Sequence, residues 1–441
     1  MKSYFAGTNE KLLPNLHKFE AFAPYSAGLD SLVLHRYLDV FLTPDVQDVS
    51  LLFGDNPLAL KEDVLRQALS ELQRCAPELR SLSIEYREPE QNSSANTMIG
   101  DALGSFRHLT SFTADVPITP PALLHLAQLP ELRSLKLALR PDNVAALQTS
   151  GQSNLFPALR ELAVTDQDSL SVCLAVFQHV SSPELRAVSL EFRGEQWAFE
   201  TVVDAIAAVG SRPYAEVLTS VTISSGPFGR HIFFPITSHM LKPLYSLPSL
   251  TELVLSINCD YDIDDGTLDL IGRTWPHLRR LELGFDDLNR VWREPKVSLS
   301  SLADLARACP KLEVLRIGVD TTKLPPAPAS APAPIGAPLR RTPRPPAHPL
   351  RTLRVGWSEI QDPVPVAGFL SDTFPRLRTV NTAWLIAEDF EDMPAEMWED
   401  EDEEPRLMWD EVTHDLLPAL AAVREQEWNW ARAQKRGQHP A

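Results

Sequence analysis

Residue types suited to binding another protein are concentrated between residues 280 and 357. Arg280, Glu282, Arg316, Arg354 and Trp357 supply guanidinium groups, one carboxylate and an indole ring. Arginine and tryptophan dominate the energetics of protein interfaces, so these five residues predict a surface for a protein partner. The alternative is a solvated row in which Glu282 and Arg316 pair across adjacent strands.

Residue patterns typical of catalysis do not occur in the sequence. It contains no G-x-S-x-G, no G-x-x-x-x-G-K-S/T, no G-x-G-x-x-G and no H-E-x-x-H. The acidic loop 258–265 lacks the glycine and glutamate that a calcium loop needs, so Asp264 or Asp265 is expected to cap a helix starting near Thr267. We therefore expect no enzyme activity, no metal and no cofactor.

Composition restricts the classes of partner and the compartment. The chain has 441 residues, 59 acidic and 41 basic side chains and a formal charge of -18, which disfavours a nucleic acid partner. Apolar residues make up 44% of the chain, yet no run approaches the roughly 18 residues of a membrane span. The first residues lack the apolar stretch of a secretory signal. The expectation is a cytoplasmic or nuclear protein with four reduced, mostly buried cysteines.

One short phrase recurs along the chain: Pro, any residue, Leu, two variable residues, apolar, any residue, apolar. Clear copies lie at 77–84, 130–137, 157–164, 183–190, 248–255, 276–283, 310–317 and 375–382, and weaker ones start near 14, 46, 109, 218 and 350. The mean period is about 30 residues, typical of leucine-rich repeats with helical connections.

Each phrase alternates apolar and variable residues, which predicts a strand with one buried face. Segments such as 58–76, 169–180, 198–210 and 298–309 have helical periodicity, and the proline that follows stops each helix. We therefore predict an α/β leucine-rich-repeat solenoid over residues 1–385, curved, with parallel strands on the concave face and helices on the convex face.

The middle residue of the last triplet in each phrase is expected on the concave face, because side chains alternate along a strand. This row is predicted to align across the repeats. Its members are Glu20, Ser50, Ser83, Thr113, Lys136, Ala163, Ser189, Thr222, Val254, Glu282, Arg316, Arg354 and Asn381.

Three segments resemble fungal F-box/leucine-rich-repeat (RNI-like) proteins: HRYLDVFLTPDVQDVSLLF at 35–53, CAPELRSLSI at 75–84 and ACPKLEVLRI at 308–317. The resemblance implies the substrate-binding region of an adaptor for a Skp1–cullin ubiquitin ligase. No F-box is seen in this chain, so Skp1 is expected only for a fuller form that carries one.

Two other functions are considered, a stand-alone scaffold and a Ran-type GTPase-activating protein. The second resembles this chain in joining leucine-rich repeats to an acidic segment. Its repeats place Asn after the strand, where this chain has Leu139, Asp166 and Phe192.

Segments of biased composition interrupt or follow the repeats. A proline-rich insert at 323–349 contains an R-x-x-P-x-x-P pattern of Arg340, Pro343 and Pro346, which favours either an SH3-type docking site or a passive loop. Residues 386–409 are acidic and predicted to be disordered, with a solvated tail and a recognition segment as alternatives. Residues 410–441 predict a capping helix and tail.

Overall fold

The computed structural model describes residues 16–23, 41–53, 62–86, 93–166, 169–194, 198–211, 214–226, 232–284, 294–323, 348–382 and 403–437. They fall into two compact units, Met1–Ala208 with Arg212–Leu218 (unit one) and Val209–Ser211 with Thr219–Ala441 (unit two). Both units contain the same repeating pattern of strand, loop and helix. The predicted domain limits of 1–385, 386–409 and 410–441 stay predictions.

Strands in both units are parallel and follow one another in chain order. Unit one contains β1 (Lys18–Ala23), β2 (Asp48–Phe53), β3 (Ser81–Tyr86), β4 (Ser111–Pro117), β5 (Ser134–Leu139), β6 (Glu161–Asp166) and β7 (Ala187–Phe192). Unit two contains β8 (Ser220–Ser225), β10 (Glu252–Ser256), β12 (Arg280–Leu283), β13 (Val314–Arg316), β14 (Thr352–Gly356) and β15 (Thr379–Thr382). Each strand coincides with one copy of the phrase. The predicted fold class, an α/β leucine-rich-repeat solenoid, is confirmed.

Helices connect successive strands and bury their apolar sides against them. They are α1 (Glu62–Cys75), α2 (Ser93–Leu103), α3 (Pro120–Gln128), α4 (Pro141–Thr149), α5 (Leu170–Gln178), α6 (Phe199–Gly210), α7 (Asp265–Thr274), α8 (Leu299–Ala308) and α9 (Pro363–Thr373). A short 3-10 helix, Lys242–Ser246, takes the place of a helix before β10. No helix in the described ranges is long and apolar enough to cross a membrane.

Each repeat contributes one fully buried apolar residue, in most cases a leucine, to the core. The first apolar residue of each phrase is fully buried from the second copy to the twelfth: Val46, Leu79, Leu109, Leu132, Leu159, Leu185, Leu218, Leu250, Leu278, Leu312 and Leu350. Within the strands, alternate residues are buried, as Leu82 and Ile84 are in β3. The intervening residues form the opposite face, here called the open face, which carries the row predicted from the sequence.

A two-stranded ribbon in unit two was not predicted. The strands β9 (Ile232–Thr237) and β11 (Cys259–Asp262) pair in parallel, separately from the repeat strands. Neither contains the leucine phrase, and β9 includes Pro235, so no pattern in the sequence marks them. Tyr261 ties the ribbon to β10, because its hydroxyl donates to Leu255 O at 2.7 Å.

A C-terminal helical segment packs against the last repeat. It consists of α10 (Glu403–Asp410), a π-helical turn (Glu411–Leu416) and α11 (Leu417–Gly437), and so begins inside the range 386–409. Trp409 is 1% exposed, and its indole N–H donates to Ser358 O at 2.7 Å. This burial explains why helix formation extends back from residue 410 to Glu403.

We expect Trp409→Ala to lower the free energy of unfolding by about 3–5 kcal/mol, because it removes a buried ring and leaves the Ser358 carbonyl unpaired. Leu407→Ala is the matched control, since Leu407 lies in the same helix and is 54% exposed. Urea denaturation of the full chain compares the two variants. Equal losses would show that the indole does not anchor this helix.

Candidate partner-binding site

Three adjacent strands of unit two bring the predicted charged residues together. Glu282 lies opposite Arg316 in the register of β12 and β13, and Arg316 lies opposite Arg354 in the register of β13 and β14. Their neighbours Leu281, Leu315 and Leu353 are buried, so the charged side chains lie on the open face. The predicted row is therefore continuous across these strands.

Glu282 is the centre of this cluster. Its Oε1 accepts from Arg280 Nε at 2.6 Å and lies 2.5 Å from Arg280 Nη2. Its Oε2 lies 3.2 Å from Arg316 Nε and 3.7 Å from Arg354 Nη1. The Glu282 side chain is only 2% exposed, so both carboxylate oxygens are shielded from water by guanidinium groups.

The three arginines differ in their access to solvent. Arg316 is 9% exposed, and its Nη1 donates to Ser256 Oγ at 3.2 Å and to Gly284 O at 3.3 Å. Arg280 and Arg354 are 46% and 33% exposed. Among these four residues three guanidinium groups surround one carboxylate, and Arg280 and Arg354 are the two arginines most accessible to solvent. Glu282 and Arg316 pair across adjacent strands, as the alternative interpretation predicted.

The other predicted binding residues fall in different places. Trp357 is half-buried, just beyond the C-terminal end of β14, where Gly356 adopts a φ of 57°. Arg340, Pro343 and Pro346 lie outside the described residues, as do residues 386–402 of the predicted acidic segment 386–409. Partner binding by Arg280, Glu282, Arg316, Arg354 and Trp357 stays a prediction.

Basic residues along the edge of the sheet were missed by the sequence analysis. The residues immediately before β12, β14 and β15 are Arg279, Arg351 and Arg378, and Lys311 and Arg376 lie in the turns before β13 and β15. These five residues, here called the basic edge, are exposed. The signal lies in the variable positions of the phrase, which become predominantly basic in the last repeats.

The open face of unit one has a different chemistry. It is lined mainly by small residues, among them Ser83, Thr113, Ala163 and Ser189. Asp115 in β4 is partly buried there and accepts a hydrogen bond from Tyr86 N at 2.5 Å. Burial raises the pKa of Asp115 to about 6, with a smaller contribution from the negative charge of Glu85, while the Tyr86 hydrogen bond opposes the shift.

Cysteines and acidic loops are structural in the described residues. All four cysteines are free; three are buried and Cys75 is half-buried, as predicted. Burial raises the pKa of the Cys309 thiol to about 11 and that of Cys259 to about 12.

No group of three or more His, Cys, Asp and Glu in the described part of the chain could hold a metal ion. Asp264 caps α7 by accepting from Thr267 N at 2.8 Å, which confirms the predicted cap.

Searches against protein families and curated proteins find no match. A solved structure similar to this chain is the yeast complex of Rad7 and Elc1, with 14% sequence identity, a TM-score of 0.44 and coverage of 78% of each chain.

Replacing Glu282 tests the role of the buried carboxylate. We expect Glu282→Gln to lower the free energy of unfolding by about 3–5 kcal/mol, because three arginines lose their shared counter-charge. Glu313→Gln is the matched control: Glu313 lies 3.2 Å from Arg279, but its side chain is 42% exposed, so the expected loss is about 1 kcal/mol or less. Chemical denaturation measures both variants. Similar small losses would contradict the central role of Glu282.

Asp115 should make stability depend on pH. Its pKa in the folded chain, about 6, exceeds the value of 3.8 for a free carboxyl, so the folded state holds this proton more tightly than the unfolded state. This contribution therefore favours folding at low pH and is lost as pH rises from about 4 through about 6. Asp115→Asn removes the titrating carboxyl group and with it this loss of stability at high pH. We expect the change in the free energy of unfolding caused by the substitution to be about 1–2 kcal/mol more favourable near pH 8 than near pH 4, a modest difference because the carboxylate is partly solvated. Denaturation curves at both pH values measure the difference. A variant whose effect is the same at both would contradict the assignment.

Proposed function

We propose that this chain is a non-enzymatic protein-recognition module that binds its partner on the open face of unit two. The observation that carries the proposal is a pair of partly exposed arginines, Arg280 and Arg354, that both lie within ion-pair distance of the buried carboxylate of Glu282. Trp357, at the end of β14, extends the surface. In this proposal Glu282 and Arg316 position the exposed arginines and make little direct contact with the partner.

Preorganisation is the physical reason to assign recognition to these arginines. An arginine side chain that is mobile in the free protein loses conformational entropy when it binds a partner, which costs about 0.5–1.5 kcal/mol per side chain. Arg280 donates from Nε and lies within ion-pair distance of Glu282 through Nη2, so much of its freedom is already lost in the folded chain. The remaining N–H groups of a planar guanidinium are suited to carbonyl and carboxylate groups of a protein partner.

The finer proposal concerns the role of the recognised protein. The segments 35–53, 75–84 and 308–317 resemble fungal F-box/leucine-rich-repeat proteins, which supports the substrate-binding region of an adaptor for a Skp1–cullin ubiquitin ligase. The repeats would then hold a protein for ubiquitylation in the cytoplasm or nucleus. Skp1 would be a partner of a form that carries an F-box.

Affinity capture with the full chain tests the recognition surface. We expect proteins captured by the original chain to be recovered about tenfold less with the double variant Arg280→Ala/Arg354→Ala, since interface arginines often contribute more than 1.4 kcal/mol. The matched control is Arg307→Ala, which removes an exposed arginine from α8, where it pairs with Asp304. Quantitative mass spectrometry compares the three baits.

Two outcomes would overturn the assignment of this surface. One is unchanged capture by the Arg280/Arg354 variant, and the other is an equal loss with Arg307→Ala. Recovery of Skp1 with a form that carries an F-box supports the adaptor role, whereas its absence there contradicts that role and leaves the recognition surface to be judged by the variants.

A further inference from the structure

The basic edge concentrates positive charge on one side of the repeats of unit two. Arg279, Lys311, Arg351, Arg376 and Arg378 are all exposed, although the whole chain has a formal charge of -18. Arg280 of the partner-binding site directly follows Arg279. The basic edge is therefore continuous with the surface assigned to protein recognition.

The backbone fixes the spacing of these residues. Glu313 N donates to Arg279 O at 2.7 Å, Arg351 N donates to Glu313 O at 2.9 Å, and Arg378 N donates to Arg351 O at 3.0 Å. Each residue thus lies on the neighbouring strand, about 4.8 Å from the last. Three such steps separate Arg279 from Arg378, a distance of about 14 Å.

Among the described residues, Glu313 is the carboxylate that pairs with this edge, and it lies on the strand between Arg279 and Arg351. Glu313 lies 3.2 Å from Arg279 in an exposed pair, which is weak in water. Within the ranges that the structure describes, no carboxylate lies within ion-pair distance of Lys311, Arg351, Arg376 or Arg378. Like charges held side by side repel each other, so an incoming anionic group would relieve that repulsion.

The same edge of unit one carries both signs of charge. There the phrase places a glutamate two residues before three of the four arginines, Arg80, Arg133 and Arg186. The fourth, Arg160, forms an ion pair with Glu184 at 2.7 Å. In unit two the equivalent positions before β10, β12, β13, β14 and β15 hold Ser249, His277, Lys311, Pro349 and Arg376, so none of them is acidic. The positive edge is thus a property of these repeats and does not follow from the repeat pattern itself.

We infer that the basic edge binds an acidic, extended segment of the protein partner, and this inference rests on the proposed recognition function. Alternate side chains of an extended segment recur about every 6.8 Å, so carboxylates at positions i, i+2 and i+4 span about 14 Å, the length from Arg279 to Arg378. Guanidinium groups pair with carboxylates through two parallel hydrogen bonds. A nucleic acid is the weaker fit, because its dense charge is repelled by the acidic remainder of the chain.

Binding of a defined peptide to the full chain tests the inference. The probe is a fluorescein-labelled peptide in which Glu alternates with Ser. Its binding to the chain is measured by fluorescence anisotropy at low salt. We expect the charge-reversal variant Arg351→Glu/Arg378→Glu to weaken binding at least about tenfold, since two attractive contacts become repulsive. The matched control is Arg80→Glu/Arg133→Glu, which reverses the equivalent exposed positions of unit one and should change binding by about twofold or less. Circular dichroism checks that both variants are folded.

Several outcomes would overturn the inference: no binding of the peptide by the original chain, equal weakening by both double variants, or equal binding of a peptide with Gln in place of Glu. Tighter binding of a single-stranded oligonucleotide of the same charge would also overturn it, in favour of a phosphate-rich ligand. The recognition function is judged separately, by capture with the Arg280/Arg354 variant. A peptide that fails to bind while that variant still loses its captured proteins removes the acidic-segment inference alone.

Discussion

Burial of one leucine face per repeat is the constraint on which the rest of the structure depends. A single repeat of about 30 residues cannot enclose its own apolar side chains, so each one must be covered by the next. The fully buried residues from Val46 to Leu350 recur once per repeat and hold neighbouring strands in the same register. That register then aligns the variable residues between them. The chemistry of the open face is therefore set by which side chains occupy equivalent positions in consecutive repeats.

The cluster around Glu282 shows how this alignment converts ordinary surface charges into a fixed group. Parallel strands without a register shift bring Glu282, Arg316 and Arg354 into one row, and Arg280 lies on the same face two residues before Glu282. A carboxylate is stable out of water only when its oxygens are paired, and here Oε1 and Oε2 both are. The exposed arginines thereby acquire defined positions. The strand register that the leucine core imposes therefore also orders the charged surface.

Much of this could be predicted from the sequence, because the pattern that specifies the fold is local and repeated. The thirteen phrases gave the repeat strands, and alternation along each strand gave the row that contains Glu282 and Arg316. The depth at which Glu282 is buried was not predictable, since it depends on long arginine side chains from neighbouring strands folding over it. The ribbon of β9 and β11 and the anchoring of Trp409 were also missed. They rest on contacts, such as those of Trp409 with Ser358 and of Tyr261 with Leu255, that lie outside the repeat pattern.

The residues that precede the strands in units one and two show which features the repeat requires and which side chains it allows to vary. Arg80, Arg133, Arg279 and Arg351 all precede a strand, and the backbone N–H of each donates to the repeat before it. This bond needs only a main chain, so the fold places no demand on the side chain. A glutamate two residues before Arg80 and Arg133 offsets their charge in unit one, whereas none of the corresponding positions from β10 to β15 is acidic and two of them, Lys311 and Arg376, are basic. Because the backbone bond is the same with either side chain, the repeat leaves the charge at these positions free to vary, and the cations of unit two are available to a binding partner.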